Sequence, residues 1–217
     1  MRPRLSPSPL LAAFALLAAT SALPAAAEPI QTIEQSYFAG DAKAVDIELI
    51  LGSLRVEGTD GRNVEILVEL SCNREDSAKC KRRAERIRLR PRLSGEELFL
   101  SLENTPRGRA GGIEATMTVR MPRAMALEID IAGGDMRIAG VEGDIEVDSA
   151  GGSVDLKGTQ DRVGVFKADV GFGKGELTLR DSVIEAGGIP RSITWRGSGT
   201  QRIEIDLGGG EIIARLE

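Results

Sequence analysis

Ile129-Asp130-Ile131-Ala132-Gly133-Gly134-Asp135-Met136 is the stretch whose reading decides the fold. It returns as Val147-Asp148-Ser149-Ala150-Gly151-Gly152-Ser153-Val154 and as Ile205-Asp206-Leu207-Gly208-Gly209-Gly210-Glu211-Ile212. A degraded copy reads Ala168-Asp169-Val170-Gly171-Phe172-Gly173. On both sides of each corner apolar residues alternate with polar ones, the period of a half-buried strand. The corner itself is small and Gly-rich, a strong break signal. Strand, corner and strand recurring at near-constant spacing imply that equivalent units stack on one another. Stacked corners need tight turns, often at positive φ, so Gly133, Gly134, Gly151, Gly152, Gly208 and Gly209 read as structural corner glycines.

A meander of hairpins accounts for the alternation but not for the same corner chemistry at the same phase. The expectation is therefore an all-β fold. Residues 121–217 should form a right-handed parallel β-helix, or β-solenoid. An antiparallel β region with one short helix, over residues 28–120, should feed it. Residues 28–217 would then make one continuous domain. Ile129, Ile131, Met136, Ile138, Ile145, Val147, Val154 and Leu156 should point inward, and Asp130, Arg137, Glu146 and Asp155 outward.

Upstream of the repeat, Val45 to Leu70 reads as short strands broken at Gly52 and at Gly58-Thr59-Asp60-Gly61. Asp76 to Ile87 has no Gly or Pro, is rich in Lys, Arg, Glu and Ala, and starts with an acid that can cap it, so it reads as the helix. A hairpin turning at Leu93-Ser94-Gly95-Glu96 follows, then a polar loop from Thr105 to Gly112, then a strand that ends at Pro122.

Residues 1–27 read as a signal peptide. Arg2 and Arg4 precede an apolar run from Leu10 to Ala19, and Ala25-Ala26-Ala27 supplies small residues for cleavage. That run is too short to span a bilayer, and no later stretch is apolar enough. The expected mature chain starts at Glu28, has no transmembrane segment, and is exported to the periplasm, the cell surface or the medium. The 217-residue chain carries a formal net charge of -5. Losing Arg2 and Arg4, with no acid, leaves -7. That acidic balance argues against nucleic acid as a partner. Cys72 and Cys80 should oxidise to a disulfide in an exporting compartment. Their spacing is neither a redox pair nor a zinc pattern.

Val119-Arg120-Met121-Pro122, Leu127-Glu128-Ile129-Asp130, Gly134-Asp135-Met136-Arg137-Ile138-Ala139-Gly140 and Gly143-Asp144-Ile145-Glu146-Val147 together resemble the bacterial DUF4097 family of β-strand repeat proteins, labelled putative adhesins. The resemblance implies a β-helical, exported, non-enzymatic protein, and some members are associated with envelope-stress signalling. It supplies no functional residues. The chain departs from the family pattern at Ala168 to Gly175 and at Ile189-Pro190-Arg191.

Chemistry is sparse. There is no His, so Ser–His and Cys–His nucleophilic arrangements are absent. Gly171-Phe172-Gly173-Lys174-Gly175 lacks the spacing of a nucleotide fingerprint and reads as a stretched corner. The run Lys79, Lys81, Arg82, Arg83, Arg86, Arg88, Arg90 and Arg92 reads as a solvated helix face running into a strand, or as a site for anionic glycans or headgroups. Trp195, the single Trp, is an end cap or a sugar-stacking ring.

Asp130, Asp148, Asp169 and Asp206 occupy one phase of the repeat. Stacking would bring their carboxylates to about 5 Å, the spacing of adjacent strands. Three readings compensate that repulsion or use it: capping by corner amides, a calcium ladder, or paired acids that hydrolyse a glycan. No cofactor is expected. The expected function is that of a non-enzymatic adhesin-type protein holding a surface glycan or envelope protein, with end-to-end self-association possible through open strand edges. A carbohydrate-active β-helix enzyme using paired Asp and an envelope-stress signalling component are the alternatives.

Overall fold

The computed structural model describes residues 29–50, 52–72, 78–105, 112–186 and 191–217. The expected signal peptide, the Asp76 cap, the loop at 106–111 and the segment 187–190, with Ile189-Pro190 of the departure from the family pattern, lie outside the described residues.

Alternation of apolar and polar residues builds the strands. β1 (Gln31–Phe38), β2 (Ala44–Leu49), β3 (Gly52–Thr59) and β4 (Asn63–Cys72) precede the helix α1 (Ala78–Ala84). β5 (Arg88–Ser94) and β6 (Glu97–Glu103) form the hairpin, and β7 (Ile113–Pro122) ends at its proline. β8 (Ala126–Ile131) and β9 (Gly134–Ala139), then β10 (Ile145–Ser149) and β11 (Gly152–Gly158), are strand pairs across a corner. β12 (Val163–Thr178) and β15 (Gln201–Leu216) run sixteen residues each straight through theirs. β13 (Val183–Glu185) and β14 (Arg191–Arg196) lie between them in the chain.

All these strands belong to one sheet with the path β1-β4-β7-β3-β9-β11-β15-β10-β8-β2-β6-β5. The path turns at β15, whose first half pairs with β10 and whose second half pairs with β11. The sheet thus folds back on itself as a nearly closed, mixed barrel of twelve strands. Inside lies one apolar core. The eight residues expected to point inward are all at most 3% exposed.

This corrects the expected right-handed parallel β-solenoid. Antiparallel pairs close both ends of the sheet: β1–β4–β7 and β5–β6 at one, β12–β13 and β12–β14 at the other. Nor do the parallel passes stack in chain order. β15 sits between the β10/β11 pass and β12, and β2/β3, from the region expected to be antiparallel, pairs directly with β8/β9 in parallel. Equal corners do stack, but the repeat is blind to which corner lies against which. The position of β15 is fixed by contacts far apart in the chain. The buried amide of Gln201 donates to the carbonyls of Val141 and Gly143, and Arg202 N–H donates to Asp144 Oδ1 at 2.8 Å.

Corner packing sets the register. Gly52, Gly134, Gly152, Gly210 and Gly173 lie side by side across the sheet. A Cβ on Gly134 would overlap the carbonyl oxygen of Gly52, one on Gly152 that of Gly134, one on Gly210 that of Gly152, and one on Gly173 that of Gly210. Gly134 and Gly152 also sit at φ +152° and +127°, where side chains are strained. Of the six glycines singled out in the sequence, Gly134 and Gly152 are in this column. Gly133, Gly151 and Gly209 are one residue earlier in the corner, and Gly208 is two.

α1 ends at Ala84, before its sequence pattern does, and gives way to turns at Arg86 and Ile87. Cys80, Ala84 and Ile87 are buried, and the Cys72–Cys80 disulfide ties the helix to the end of β4. Among the described residues no helix is long and apolar enough to cross a membrane.

Gly152→Ala should cost about 3–5 kcal/mol in urea unfolding, because strain at positive φ adds to a backbone overlap. Gly95→Ala, at φ +63° with no atom within 4 Å of the new Cβ, should cost about 1–2 kcal/mol. Equal losses at the two sites would contradict the packing role of the column.

Candidate functional site

The in-register corners carry the strands before them into register too. Each of those strands alternates inward-facing and charged residues: Val45-Asp46-Ile47-Glu48-Leu49, Leu127-Glu128-Ile129-Asp130-Ile131, Ile145-Glu146-Val147-Asp148-Ser149, Ile203-Glu204-Ile205-Asp206-Leu207 and Phe166-Lys167-Ala168-Asp169-Val170, with the buried Ser149 the one polar residue among the inward-facing positions. The apolar members fill the core and the charged ones stand on the outer face. Glu48, Asp130, Asp148, Asp206 and Asp169 form one row, each paired in register with the next. Asp46, Glu128, Glu146 and Glu204 form a second row two residues back, and Lys167 completes it.

The four Asp residues singled out in the sequence are therefore together, in the order 130, 148, 206, 169. Glu48, Asp46, Glu128, Glu204 and Lys167 were not singled out, and Glu146 only as an outward-facing residue, although the fivefold recurrence of the five-residue pattern carries the signal. A shallow trough of about 600 Å³ runs beside the Asp row, between those carboxylates and Ala132, Ala150, Gly208 and Gly171. The other outer face, built by the second strand of each pass, has mixed signs. Arg55 lies beside Arg137 and Arg137 beside Asp155, which pairs with Arg215 at 2.6 Å. The single sign of the acidic face is thus particular to it.

Cations close both ends of the acidic rows. Lys167 Nζ contacts Glu204 Oε1 at 2.7 Å and Asp169 Oδ2 at 3.1 Å. At the other end Arg92 stacks on Phe99, 5.1 Å from the ring centroid, and Arg90 pairs with Glu103. Between those ends the carboxylates face one another. Partial burial, then Glu97, Glu48 and Asp130, raises the pKa of Asp46 above its ordinary 3.8. Partial burial, then Asp46, Glu146, Glu97 and Asp148, raises Glu128 above 4.5. Asp206 is raised by partial burial and by Asp169, Asp148 and Glu204, against the opposing pull of Lys167. Within these rows Asp169 is lowered, first by the hydrogen bond from Ser192, then by Lys167 and a hydrogen bond with Asp206.

None of the four Asp residues accepts a hydrogen bond from its corner glycines among the described residues. At the second corner the Ser149 hydroxyl takes that part, accepting from Gly151 N–H at 3.3 Å. The acids are strung along a line, and among the described residues no group of three or more converges as a metal would require. Gly171 to Gly175 lie inside β12, so no helix N-terminus stands behind that glycine-rich segment. Trp195 is half-buried against the end of the core, opposite Phe166 across the β12–β14 pair. Lys79, Lys81, Arg82, Arg86, Arg88, Arg90 and Arg92 are exposed on α1, the turn after it and β5.

No family model matches the chain, and no curated protein matches it. Solved structures match the chain at low similarity. One is titled a putative cell adhesion protein, from Clostridium sporogenes, with TM-score 0.48 and 11% identity over 86% of this chain and all of that one. A putative adhesin from Bacteroides fragilis has TM-score 0.26 and 13% identity over 87% and 99%. A putative adhesin from Parabacteroides merdae has TM-score 0.22 and 8% identity over 86% and 97%.

Stability should be greatest on the mildly acidic side. For Asp46, Glu128 and Asp206 the folded pKa is raised, so the fold holds protons more tightly than the unfolded chain. Their charged forms cost stability at neutral pH, and that cost is relieved as pH falls through the folded values, which are raised from the ordinary 3.8 of the two Asp and 4.5 of Glu128. For Asp169, Asp161 and Glu176 the folded pKa is lowered, and their contribution is lost at still lower pH. The thermal midpoint, followed from pH 8 down to about pH 3, should rise and then fall. A monotonic fall from neutral pH would contradict this electrostatic picture.

Proposed function

We propose that the protein is an exported, non-enzymatic binding protein of adhesin type, and that the acidic outer face is the surface with which it holds its partner. The observation that carries this reading is the alignment of nine carboxylates in two rows on one outer face of the sheet. Such a face attracts amino and guanidinium groups at long range and holds them by many weak contacts. The partner fitting it is an envelope protein or surface glycan that presents cationic groups. The disulfide agrees with an oxidising compartment outside the cytoplasm.

Retention of the purified protein by isolated cell envelopes, measured across salt concentration, tests the proposal. Asp130→Asn, Asp148→Asn and Asp206→Asn should each weaken binding about 1.5- to 5-fold, and together should compound, since exposed ion pairs contribute about 0.2–1 kcal/mol apiece. Added salt should weaken wild-type binding and affect the triple variant less. Unchanged binding by the triple variant would overturn the assignment of this face. Complete loss of a hydrolytic activity on one Asp→Asn change would replace binding with catalysis.

A further inference from the structure

The sheet has free edges, and they are protected unequally. β5 carries Pro91 and three Arg residues, β13 has three residues, and β14 is bounded by Arg191 and Arg196. Proline, charge and shortness are the usual guards against edge pairing. β1, with the sequence Gln-Thr-Ile-Glu-Gln-Ser-Tyr-Phe, has eight residues, no proline, no cation and one acid, and among the described residues it pairs with β4 alone.

β1 is also incompletely covered. The residues of β4 that face the core, Val64, Ile66, Val68 and Leu70, are at most 2% exposed. The corresponding residues of β1, Ile33, Gln35 and Tyr37, stay half-exposed although Ile33 and Tyr37 pack on the core. Phe38, on the other face of the strand, is 72% exposed. One more strand beyond β1 would cover them all.

Hydrogen-bond phase shows what that edge offers. Ala39 N–H donates to Arg62 C=O at 3.0 Å, in phase with the β1–β4 register. Backbone groups in an antiparallel ladder alternate in direction, so odd-numbered residues of β1 address β4. Thr32, Glu34, Ser36 and Phe38 turn their N–H and C=O groups to the free edge.

We propose that β1 pairs with β1 of a second copy of this chain, antiparallel about a two-fold axis at Gln35. This goes beyond the binding role of the acidic face and does not depend on it. In that register Glu34 lies opposite the partner's Ser36, and Thr32 opposite the partner's Phe38, as hydrogen-bonded pairs. Ile33 lies opposite the partner's Tyr37 on the core side, a β-branched and aromatic pairing that favours sheets. A register centred one residue earlier would set Glu34 against the partner's Glu34, which like charge disfavours. The contact is isologous and closes at two copies, so it leaves no open β1 edge.

Sedimentation equilibrium of the purified, exported protein at concentrations up to roughly 100 μM, a range that detects even weak pairing, should give twice the mass of one chain. Ser36→Pro removes an N–H at the free edge and none from the β4 ladder. It should halve the mass while moving the thermal midpoint by only a few degrees. As a second arm, Gln35→Cys should form a disulfide-linked dimer on air oxidation, because the two-fold axis sets residue 35 against itself, whereas Glu34→Cys should not. A monomeric wild type, a dimer untouched by Ser36→Pro, or cross-linking through position 34 and not 35 would each overturn the proposal. None of these readouts requires the envelope partner, so failure here is distinct from failure of the acidic-face assignment.

Discussion

Five glycines packed shoulder to shoulder hold this protein's register. Each of Gly134, Gly152, Gly210 and Gly173 leaves the space of its missing Cβ to the carbonyl of the glycine before it, starting from Gly52. A slip that brought the following residue, Asp135, Ser153, Glu211 or Lys174, into the column would drive a side chain into that carbonyl, and a slip by one in either direction would turn every apolar residue of the strand outward. The column therefore aligns the passes of the chain without a ligand or a side-chain lock. Core packing then follows from alternation, and so does the arrangement of the outer face.

Alignment has an electrostatic consequence. Strands that all read apolar-acid-apolar-acid, stacked in parallel and in register, must set like charges side by side. Hydrophobic burial on the inner face outweighs that repulsion, since each fully buried Ile, Leu or Val contributes about 1.5–3 kcal/mol, several times an exposed charge–charge interaction. Lys167 neutralises one end of the rows, and Arg90 and Arg92 flank the other. The middle stays uncompensated, at a cost visible in the raised pKa values of Asp46, Glu128 and Asp206. A face that carries such strain within the protein has the most to gain from an incoming cation.

What could be read from the sequence was local. The corner of residues 129–136 and its copies announced parallel, in-register stacking, and alternation placed Ile129, Val147 and Val154 in the core. The Cys72–Cys80 pair and the helix between Asp76 and Ile87 were visible in composition, although the helix ends at Ala84. The order of the passes was not legible. β15 reaches its place through Gln201 and Arg202, whose partners at Val141, Gly143 and Asp144 lie about sixty residues away, and no periodicity records such contacts. Glu48 went unseen because its corner, Ile50-Leu51-Gly52, keeps one glycine of the motif. Gly210 and Gly173 went unseen as column members because in runs such as Gly208-Gly209-Gly210 composition does not say which glycine takes the strained position. The antiparallel pairing upstream of the repeat and the hairpin at Leu93–Glu96 were legible, but the antiparallel β13 and β14 were not, because nothing in the repeat says where stacking stops.

The central claim is the strand order that puts β15 between β10 and β12, and cysteine cross-linking across the acidic row tests it directly. Neighbouring parallel strands lie about 4.8 Å apart and next-nearest ones about twice that, while a disulfide spans Cα atoms about 4.4–6.8 Å apart. With Cys72 and Cys80 left as their native bond, the pair Asp148→Cys and Asp206→Cys should oxidise readily to an intramolecular disulfide, and the pair Asp148→Cys and Asp169→Cys should not. Stacking in chain order would reverse that result, because residues 148 and 169 would then be neighbours, and its observation would contradict the architecture and the acidic row built on it.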